Sequence, residues 1–396
     1  MNLFDNVPSP KAPKILQLLQ DFSNDLRAEK IDLGIGVYKD ERGITPVLET
    51  VKAAEKILLS EQKTKAYIGL AGDPDFCNLA SSLVLGDKID LNRINVIQTP
   101  GGSSALRVLY DLIFDVSPDS TVWLPAPTWD NHPPTIRAAG LKYNYYKYFD
   151  PGTQSINFET TFNDLKKVPP GDVVLLHGCC HNPTGVNFSN SQWDAIALLA
   201  GEVGFLPLVD IAYQGFGEGL DEDAYGVRKL LACLPELLIA SSSSKNFAIY
   251  RDRAGVAITL SKNEKVTKAL GGKLRNLAGT NYSMPPDHGA AVVRTILSNE
   301  TLKLKWLGEL KAMRDRVHKI RKSLSLELRN QTNSSRFDFL AKQSGMFSLI
   351  GLSEAEILRL KEEKAIYIVD DGRINLAGLR SADIPKFAVA VREIIS

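Results

Sequence analysis

The residues with the clearest chemical potential surround one lysine. Residues 241–247 read SSSSKNF, and Lys245 follows the apolar run ELLIA, which ends at Ala240. This pattern predicts that the lysine lies where a buried strand gives way to a loop. A lysine that acts as a covalent amine must lose its proton, and burial together with Arg251 and Arg253 favours that loss. A basic surface cluster is the alternative interpretation.

A second candidate is a turn that could bind phosphate. The stretch QTPGGSSALRVLYDL places Gly102, Ser103 and Ser104 between a predicted strand and a predicted helix. Backbone N–H groups and hydroxyls at the positive end of a helix bind phosphate well. A serine that merely caps the helix is an equally good interpretation of these residues alone. Because no GxxxxGK[ST] or GxGxxG motif follows a strand, a nucleoside triphosphate or a dinucleotide is disfavoured.

A carboxylate also ends a predicted strand. The segment FLPLVDIAYQGF contains Asp210 at the end of its apolar run and Tyr213 three residues later. Strand ends of this kind face the ligand crevice of an open parallel sheet, and a buried carboxylate there needs a cationic or proton-donating partner. An aspartate held in a structural salt bridge is the alternative.

The segment HGCCHNPTG invites a metal interpretation. It contains His177, Cys179, Cys180, His181 and Asn182. Ligands so close in sequence cannot all converge on one tetrahedral ion, and no second CxxC or HxxxH cluster supplies the rest. We therefore expect no metal here, and the NPTG part also fits a simple turn.

Together, these features match the requirements of one cofactor. Pyridoxal phosphate needs a lysine to hold its aldehyde, a carboxylate to keep its ring nitrogen protonated, and an arginine with a helix N-terminus to hold its phosphate. Lys245, Asp210, Arg253 and the Gly102–Ser103 turn supply this set. The sequence therefore predicts a pyridoxal phosphate enzyme.

The elements that position these residues have the pattern of an α/β protein. Short apolar runs at 94–99, 120–125, 172–178, 205–210 and 236–242 predict the central strands of a largely parallel sheet. Helical stretches such as 104–115 and 190–203 lie between them. We predict a large cofactor-binding domain over residues 46–300.

A long helix is predicted to lead into a smaller α+β domain. From Thr301 to Asn330 apolar residues recur three or four apart and define one helix face: Leu304, Leu307, Leu310, Met313, Val317, Ile320, Leu324 and Leu328. The later segments MFSLIG, AIYIVDDG and RINLAG read as short strands. Residues 1–45, with an N-terminal arm, and 301–396 are assigned to this small domain.

Composition narrows the function classes. The 396 residues are 44% hydrophobic and 23% charged, and the net charge is +1. A charge balance this even gives no general attraction to nucleic acid or to an anionic membrane. The first residues lack the pattern of a signal peptide, no apolar run reaches membrane-spanning length, and four cysteines form no disulfide framework. A cytoplasmic protein is predicted.

Several motifs, in matching order, carry a family resemblance over essentially the whole chain. The segments NVPSPKAP, PTWDNH, CCHNPTG, VDIAYQGF, SSSSKNFAIYRDRAG and GRINLAGL resemble class I aminotransferases of the aspartate and aromatic amino acid branch. The resemblance implies a fold-type I pyridoxal phosphate enzyme. It also implies a homodimer whose two active sites are shared across the subunit interface.

The resemblance assigns roles around the cofactor ring. Lys245 matches the Schiff-base lysine, which also moves the proton at the substrate α-carbon. Asp210 matches the partner of the ring nitrogen, with His132 behind it. Tyr213 and Asn182 match the groups bonded to the ring oxygen, while Trp129 matches the aromatic residue stacked on the ring.

Further roles concern the phosphate and the substrate. The implied phosphate contacts are Gly102, Ser103, Ser242, Ser244, Arg253 and, from the second subunit, Tyr67. Arg373 matches the arginine that binds the substrate α-carboxylate, for which a bidentate guanidinium is suited. Trp129 and Asn182 also face the substrate, and Gly36 lies where the family closes its small domain over it.

Two positions depart from the family pattern. Dicarboxylate-using members carry, before NYS.PP, an arginine that pairs with the distal carboxylate of the substrate across the dimer; here Gly279 occupies that place. An unpaired buried carboxylate would cost several kcal/mol, so an aromatic or other uncharged apolar donor is predicted. Arg275 is the candidate replacement cation. Ser104 stands where the family usually has glycine, which is tolerable at negative φ.

The predicted function is therefore the ping-pong transfer of an amino group to a 2-oxo acid. An aspartate aminotransferase that uses another cation is the first alternative. A decarboxylase or β-lyase on the same fold is the second, because one cofactor supports several bond cleavages. A non-catalytic relative is disfavoured by the intact set of Lys245, Asp210 and Arg373.

Overall fold

The fold is built on one large sheet. A computed structural model describes residues 4–5, 7, 14–86 and 90–395; of the segment NVPSPKAP at 6–13, only Val7 is among them. The strands are β1 (Ile31–Asp32), β2 (Ile94–Pro100), β3 (Thr121–Ala126), β4 (Lys142–Lys147), β5 (Phe149–Asp150), β6 (Ser155–Ile156), β7 (Val173–His177), β8 (Leu206–Ile211), β9 (Leu237–Ser242), β10 (Ala254–Leu260), β11 (Phe347–Leu349), β12 (Ile366–Tyr367) and β13 (Arg373–Asn375).

The helices alternate with these strands in the first two thirds of the chain. They are α1 (Lys14–Asn24), α2 (Glu49–Glu61), α3 (Pro74–Leu85), α4 (Gly101–Val116), α5 (His132–Ala138), α6 (Phe158–Leu165), α7 (Asn190–Val203), α8 (Leu220–Asp223), α9 (Tyr225–Cys233), α10 (Glu264–Tyr282), α11 (Asp287–Ser298), α12 (Glu300–Thr332), α13 (Glu354–Lys364) and α14 (Ile384–Ile395). This pattern confirms the predicted α/β class.

Seven strands form the central sheet in the order β2-β10-β9-β8-β7-β3-β4. All five predicted strands are present, and they lie parallel to one another. Strand β10 was not predicted; it runs antiparallel to both β2 and β9. It returns the chain from the lysine turn that follows β9 back to the edge strand β2.

Alternate residues of the central strands pack on opposite faces of the sheet. In β7, Val174 and Leu176 join one core together with α2, α3, α7 and α11. Val173 and Leu175 join a second core together with α4 and α10. Because both faces are covered, these strands are apolar throughout, which is why the sequence showed them as continuous apolar runs.

Helix α12 confirms the predicted long helix but corrects its buried face. Leu304 is wrong as a core residue, because 60% of it is exposed. Leu302 and Trp306 are buried instead. The ring of Trp306 stacks on Phe247 at a centroid distance of 4.3 Å, and its indole N–H donates to the carbonyl of Asn246 at 2.8 Å. This contact with the turn after Lys245 sets the rotation of the first half of α12.

A separate core joins the two ends of the chain. It contains Ile31 and Leu33, the second half of α12 from Ile320, and residues of α13, β13 and α14. The first half of α12, up to Val317, packs with the large core. The packing thus changes within α12, and the predicted domain boundary at residue 301 stays a prediction. No helix in the described part of the chain is long and apolar enough to cross a membrane.

Candidate active site

A cavity of about 220 Å³ lies at the carboxyl ends of the parallel strands. Register places Asp210 of β8 beside His177 of β7 and Ala240 of β9. This is the edge at which open parallel sheets bind ligands. The predicted site residues that line the cavity are Gly36, Gly102, Ser103, Trp129, Asn182, Asp210, Tyr213, Ser242, Ser244, Lys245, Arg253 and Arg373.

Lys245 reaches the cavity from the turn that follows β9. Its Nζ lies 5.0 Å from the ring centre of Tyr213. Burial lowers the pKa of Lys245 to about 8; the negative charge of Asp210 opposes this shift, and the positive charge of Arg253 adds to it. Near neutral pH a far larger share of this amine is therefore neutral, and so nucleophilic, than in an ordinary lysine.

Asp210 faces Lys245 across the floor of the cavity. Burial acts to raise the pKa of this carboxyl, yet its pKa is lowered, because a hydrogen bond from His132 and the charges around it outweigh burial. The ring Nε2 of His132 lies 3.2 Å from Oδ2 of Asp210. Asp210 is thus held as a carboxylate that can pair with a protonated ring nitrogen. The alternative of a purely structural salt bridge fits poorly, because one side of the carboxylate lines the cavity.

A chain of hydrogen bonds behind Asp210 fixes the protonation of His132. The backbone N–H of Asn182 donates to Nδ1 of His177 at 3.4 Å, so Nδ1 is an acceptor. Burial lowers the pKa of His177 to about 3, so the ring is neutral and its Nε2–H donates to Thr128 Oγ1 at 3.2 Å. The Thr128 hydroxyl then donates to Nδ1 of His132 at 2.8 Å. Because the Asp210 carboxylate can only accept, the ring nitrogen of His132 that faces it, Nε2, carries a proton.

Polar side chains opposite Lys245 suit a ring oxygen and a carboxylate. The amide Nδ2 of Asn182 donates to the hydroxyl of Tyr213 at 3.4 Å, and Nη1 of Arg373 donates to Oδ1 of Asn182 at 3.4 Å. The guanidinium of Arg373 also lies 4.9 Å from the ring centre of Phe347. Its buried Nε has no partner among the described residues, so donor capacity remains for a ligand.

The other end of the cavity is shaped for phosphate. Nη1 of Arg253 donates to Ser244 Oγ at 3.1 Å, and Ser242 Oγ donates to the same hydroxyl at 3.0 Å. At Gly101, φ is +76°, and a Cβ there would lie 2.4 Å from Nη2 of Arg253. A Cβ on Gly102 would lie 3.0 Å from Cβ of Ser242. The glycines thus keep the start of α4 open to an anion.

The structure contradicts the alternative that a serine caps this helix. Helix α4 begins at Gly101 with Pro100 as its N-cap, so Ser103 lies inside the first turn. Ser104 is helical and its φ is not positive, so a serine is tolerated where the family usually has glycine. Gly102 and Ser103 of this first turn line the cavity together with Arg253, and the first N–H groups of a helix have no partner within the helix.

The residues present fit pyridoxal phosphate. A nucleophilic lysine, a carboxylate held ionised and an open helix N-terminus beside an arginine occupy one cavity. A side chain on Gly101 or Gly102 would crowd the space beside Arg253 and Ser242 that suits the phosphate. At the substrate side of the cavity, Nε of Arg373 has no partner among the described residues. This donor set suits a cofactor that has an aldehyde, a pyridine nitrogen and a phosphate.

Other candidates lie outside the cavity. Arg251 is exposed. Of the two arginines, only Arg253 contributes to the lowered pKa of Lys245. Tyr67 is 91% exposed. Gly279 and the exposed Arg275 are on α10 and do not line the cavity of their own chain. A Cβ on Gly279 would lie 3.4 Å from Leu70.

Several cavity residues carry no signal in the local sequence. Tyr250 and Phe347 line it, as does Ile15 of α1. The hydroxyl of Tyr250 accepts a hydrogen bond from the backbone N–H of Tyr38 at 2.9 Å. A Cβ on Gly36 would lie 2.9 Å from the ring of Phe347. These contacts join segments far apart in sequence, and no local pattern marks them.

The family described as aminotransferase class I and II matches residues 28–391. A tyrosine aminotransferase of Rhizobium meliloti is 47% identical over 98% of both chains, and an aspartate aminotransferase of Escherichia coli is 42% identical over 98% of this chain and 99% of its own. An aromatic-amino-acid aminotransferase from Burkholderia pseudomallei, solved covalently bound to pyridoxal phosphate, superposes with a TM-score of 0.98 at 34% identity, with all of both chains covered.

Proposed function

Because this chain belongs to the class I and II aminotransferases and is a pyridoxal-phosphate-dependent transaminase, we propose that its preferred amino donor is aromatic or otherwise uncharged and apolar. The acceptor is a 2-oxo acid, and the two half-reactions follow a ping-pong order. The observation that carries the donor preference is Gly279, which stands where dicarboxylate-using members have an arginine.

The cofactor residues are proposed from their places in the cavity. Bound pyridoxal phosphate supplies the electron sink that stabilises negative charge at the substrate α-carbon. Asp210 would hold the ring nitrogen, Tyr213 and Asn182 the ring oxygen, and Trp129 a ring face. The proposed phosphate ligands are Gly102, Ser103, Ser242, Ser244 and Arg253.

Two residues of the cavity are proposed to act on the substrate. Lys245 Nζ takes the proton from the α-carbon and returns it, a task for which its lowered pKa suits it. The guanidinium of Arg373 binds the α-carboxylate, and its free Nε can then complete a bidentate contact. Gly36 leaves space for closure over the substrate, because its hydrogen faces the ring of Phe347.

The distal part of the substrate is proposed to meet a second copy of the chain. Tyr67 is 91% exposed, and Leu70 beside Gly279 is 41% exposed, so both side chains are available for contact with a partner subunit. A homodimer would bring Tyr67 to the phosphate of the other subunit. It would also place the apolar Leu70–Gly279 surface near the substrate side chain.

A single-turnover absorbance experiment tests the donor preference. The pyridoxal form of the enzyme is mixed separately with phenylalanine, tyrosine, aspartate, glutamate and a small aliphatic amino acid. We expect conversion to the pyridoxamine form to be fastest with the aromatic donors. Aspartate reacting as fast as phenylalanine would contradict the proposal and point to Arg275 as the distal cation. Pyruvate and ammonia formed without a 2-oxo acid would instead indicate β-lyase chemistry.

A further inference from the structure

Three buried side chains behind the active site bring metal-binding atoms together. Cys179 and Cys180 follow β7, and Asp223 ends α8. The two Sγ atoms and a carboxylate oxygen all lie within 4.8 Å of one another. Two thiols and one carboxylate in this arrangement are a typical partial ligand set for a soft divalent ion.

The backbone holds this cluster in place. Asp223 accepts hydrogen bonds from the N–H groups of Gly215 at 2.8 Å, Gly217 at 2.9 Å and Glu218 at 2.9 Å. Cys180 has φ of +50°, and Gly345 packs so closely that a Cβ there would lie 2.9 Å from its Sγ. The ligand atoms are thus positioned before any ion binds, which lowers the ordering cost of binding.

One buried cation lies beside the cluster, although the hydrogen bond with Cys180 and burial hold the pKa of Cys179 well above its usual range, so an ion must displace the thiol proton. Arg321 is fully buried and interacts electrostatically with Cys180. Its guanidinium donates to the carbonyls of Gly345 and Phe347 and to Ser348 Oγ. Two thiolates and a carboxylate carry three negative charges, which a divalent cation and this guanidinium would neutralise together.

An ion can reach the cluster from a second groove beside the active-site cavity, and Cys179 lines both. Cys179 and Asp223 line this groove together with Glu218, Glu222 and Asn187. Two of these residues are acidic and exposed, which attracts cations to the opening. The groove is also wide enough for water, so a fourth ligand is available from solvent.

We propose that Cys179, Cys180 and Asp223 form a binding site for a soft divalent metal ion of the zinc and cadmium class. On binding, each thiol releases one proton to solvent and forms a bond from sulfur to the metal, with no change of oxidation state. A water molecule completes the tetrahedron. The residues of HGCCHNPTG cannot by themselves converge on one tetrahedral ion, whereas Asp223 comes from 43 residues beyond Cys180 in sequence.

Cadmium titration of the holoenzyme tests the site. The exposed Cys233 would bind cadmium by itself, so Cys233→Ser is the background. We expect about one ion per chain, with near-ultraviolet absorbance from cadmium–thiolate charge transfer. Cys179→Ser and Cys180→Ser should each weaken binding at least tenfold. Cys77→Ser is the matched control, since Cys77 is also buried but lies outside the cluster, and it should leave binding unchanged.

Two further measurements keep the test independent of folding. Circular dichroism and the cofactor spectrum report whether each variant is folded, and zinc-edge X-ray absorption of the Cys233→Ser protein reports its ligands directly. Two sulfur neighbours at about 2.3 Å and oxygen at about 2.0–2.2 Å are expected. Absence of sulfur neighbours, or equal cadmium binding by folded Cys179→Ser and Cys180→Ser variants, would overturn the proposal. Binding should also strengthen as pH rises, because metal competes with protons for the thiols.

Discussion

The proton affinity of Lys245 sets how readily the enzyme takes up its cofactor. Only the neutral amine attacks an aldehyde, and the pKa of Lys245 is about 8. Incorporation of pyridoxal phosphate into the apoenzyme should therefore slow by about tenfold per pH unit below that value and level off above it. The rate of appearance of the cofactor absorbance, measured across this pH range, checks the expectation.

Two variants control this experiment. Lys245→Ala should show no covalent incorporation and a loss of turnover of at least about 10⁴-fold. Lys262→Ala, at an exposed lysine, should behave like the parent protein. A loading rate that does not change with pH on either side of 8, or turnover by Lys245→Ala, would contradict this account of the lysine.

Thr128 orients the ring of His132, which in turn contacts Asp210. Thr128→Val keeps the shape of the side chain but removes the hydroxyl that bridges His132 and His177. Nδ1 of His132 then loses its partner, so the ring that donates to Asp210 is held less firmly. We expect a loss of about 1–3 kcal/mol in transition-state stabilisation, or roughly 5- to 150-fold in kcat/KM.

Thr135→Val is the matched control for this prediction. Its hydroxyl donates to the carbonyl of Asn131 on the same short helix but contacts no histidine in the relay. Activity should stay within about twofold of the parent. Equal losses in both variants would show that the effect comes from α5 itself and not from the relay.

At the scale of elements, the rotation of α12 is testable. Leu302, outside the predicted apolar repeat of this helix, is 7% exposed, whereas Leu304, a member of that repeat, is 60% exposed. Leu302→Ala should lower the free energy of unfolding by about 2 kcal/mol or more, since it leaves a cavity in the large core. Leu304→Ala should change it by less than about 0.5 kcal/mol.

Urea unfolding of the two holoenzyme variants, followed by tryptophan fluorescence, provides the comparison. The two substitutions remove the same atoms from the same helix, so helix propensity cancels and burial decides the difference. A larger loss for Leu304→Ala would place the other face of α12 against the core. It would also show that the contact of Trp306 with Phe247 does not set the rotation of α12.

At the scale of the whole molecule, substrate choice is predicted to depend on the dimer. Gly279→Arg would supply the distal cation that the family uses for dicarboxylates, and the neighbouring Leu70 lies at ordinary contact distance from a new side chain. We expect kcat/KM for aspartate to rise at least tenfold relative to that for phenylalanine. Steady-state kinetics with both donors measure the ratio.

Gly272→Arg is the matched control for the charge. Gly272 is on the same helix, and nothing lies within 4 Å of a Cβ built there. The variant adds an equal charge about two turns away and should leave the donor ratio unchanged. If both variants shift the ratio equally, a general increase in positive charge explains it. If neither does, the pocket account of Gly279 fails.

Local sequence determined the elements of this protein well. The apolar runs that became β7, β8 and β9 are buried on both faces, so their composition alone marked them as central strands of a parallel sheet. Lys245, Asp210 and the glycine turn were visible because the chemistry at strand ends restricts residue types. The full set of roles around the cofactor came from motifs in a fixed order, and these roles remain predictions.

Tertiary structure decided what depends on contacts between distant segments. Trp306 packs on Phe247 and on the turn after Lys245, and this contact determines which leucine of α12 is buried. Tertiary structure added Tyr250 and Phe347 to the cavity, and it brought Asp223 to the two cysteines. Sequence periodicity records the direction of a side chain along its own element, whereas packing between elements depends on the arrangement of the whole chain.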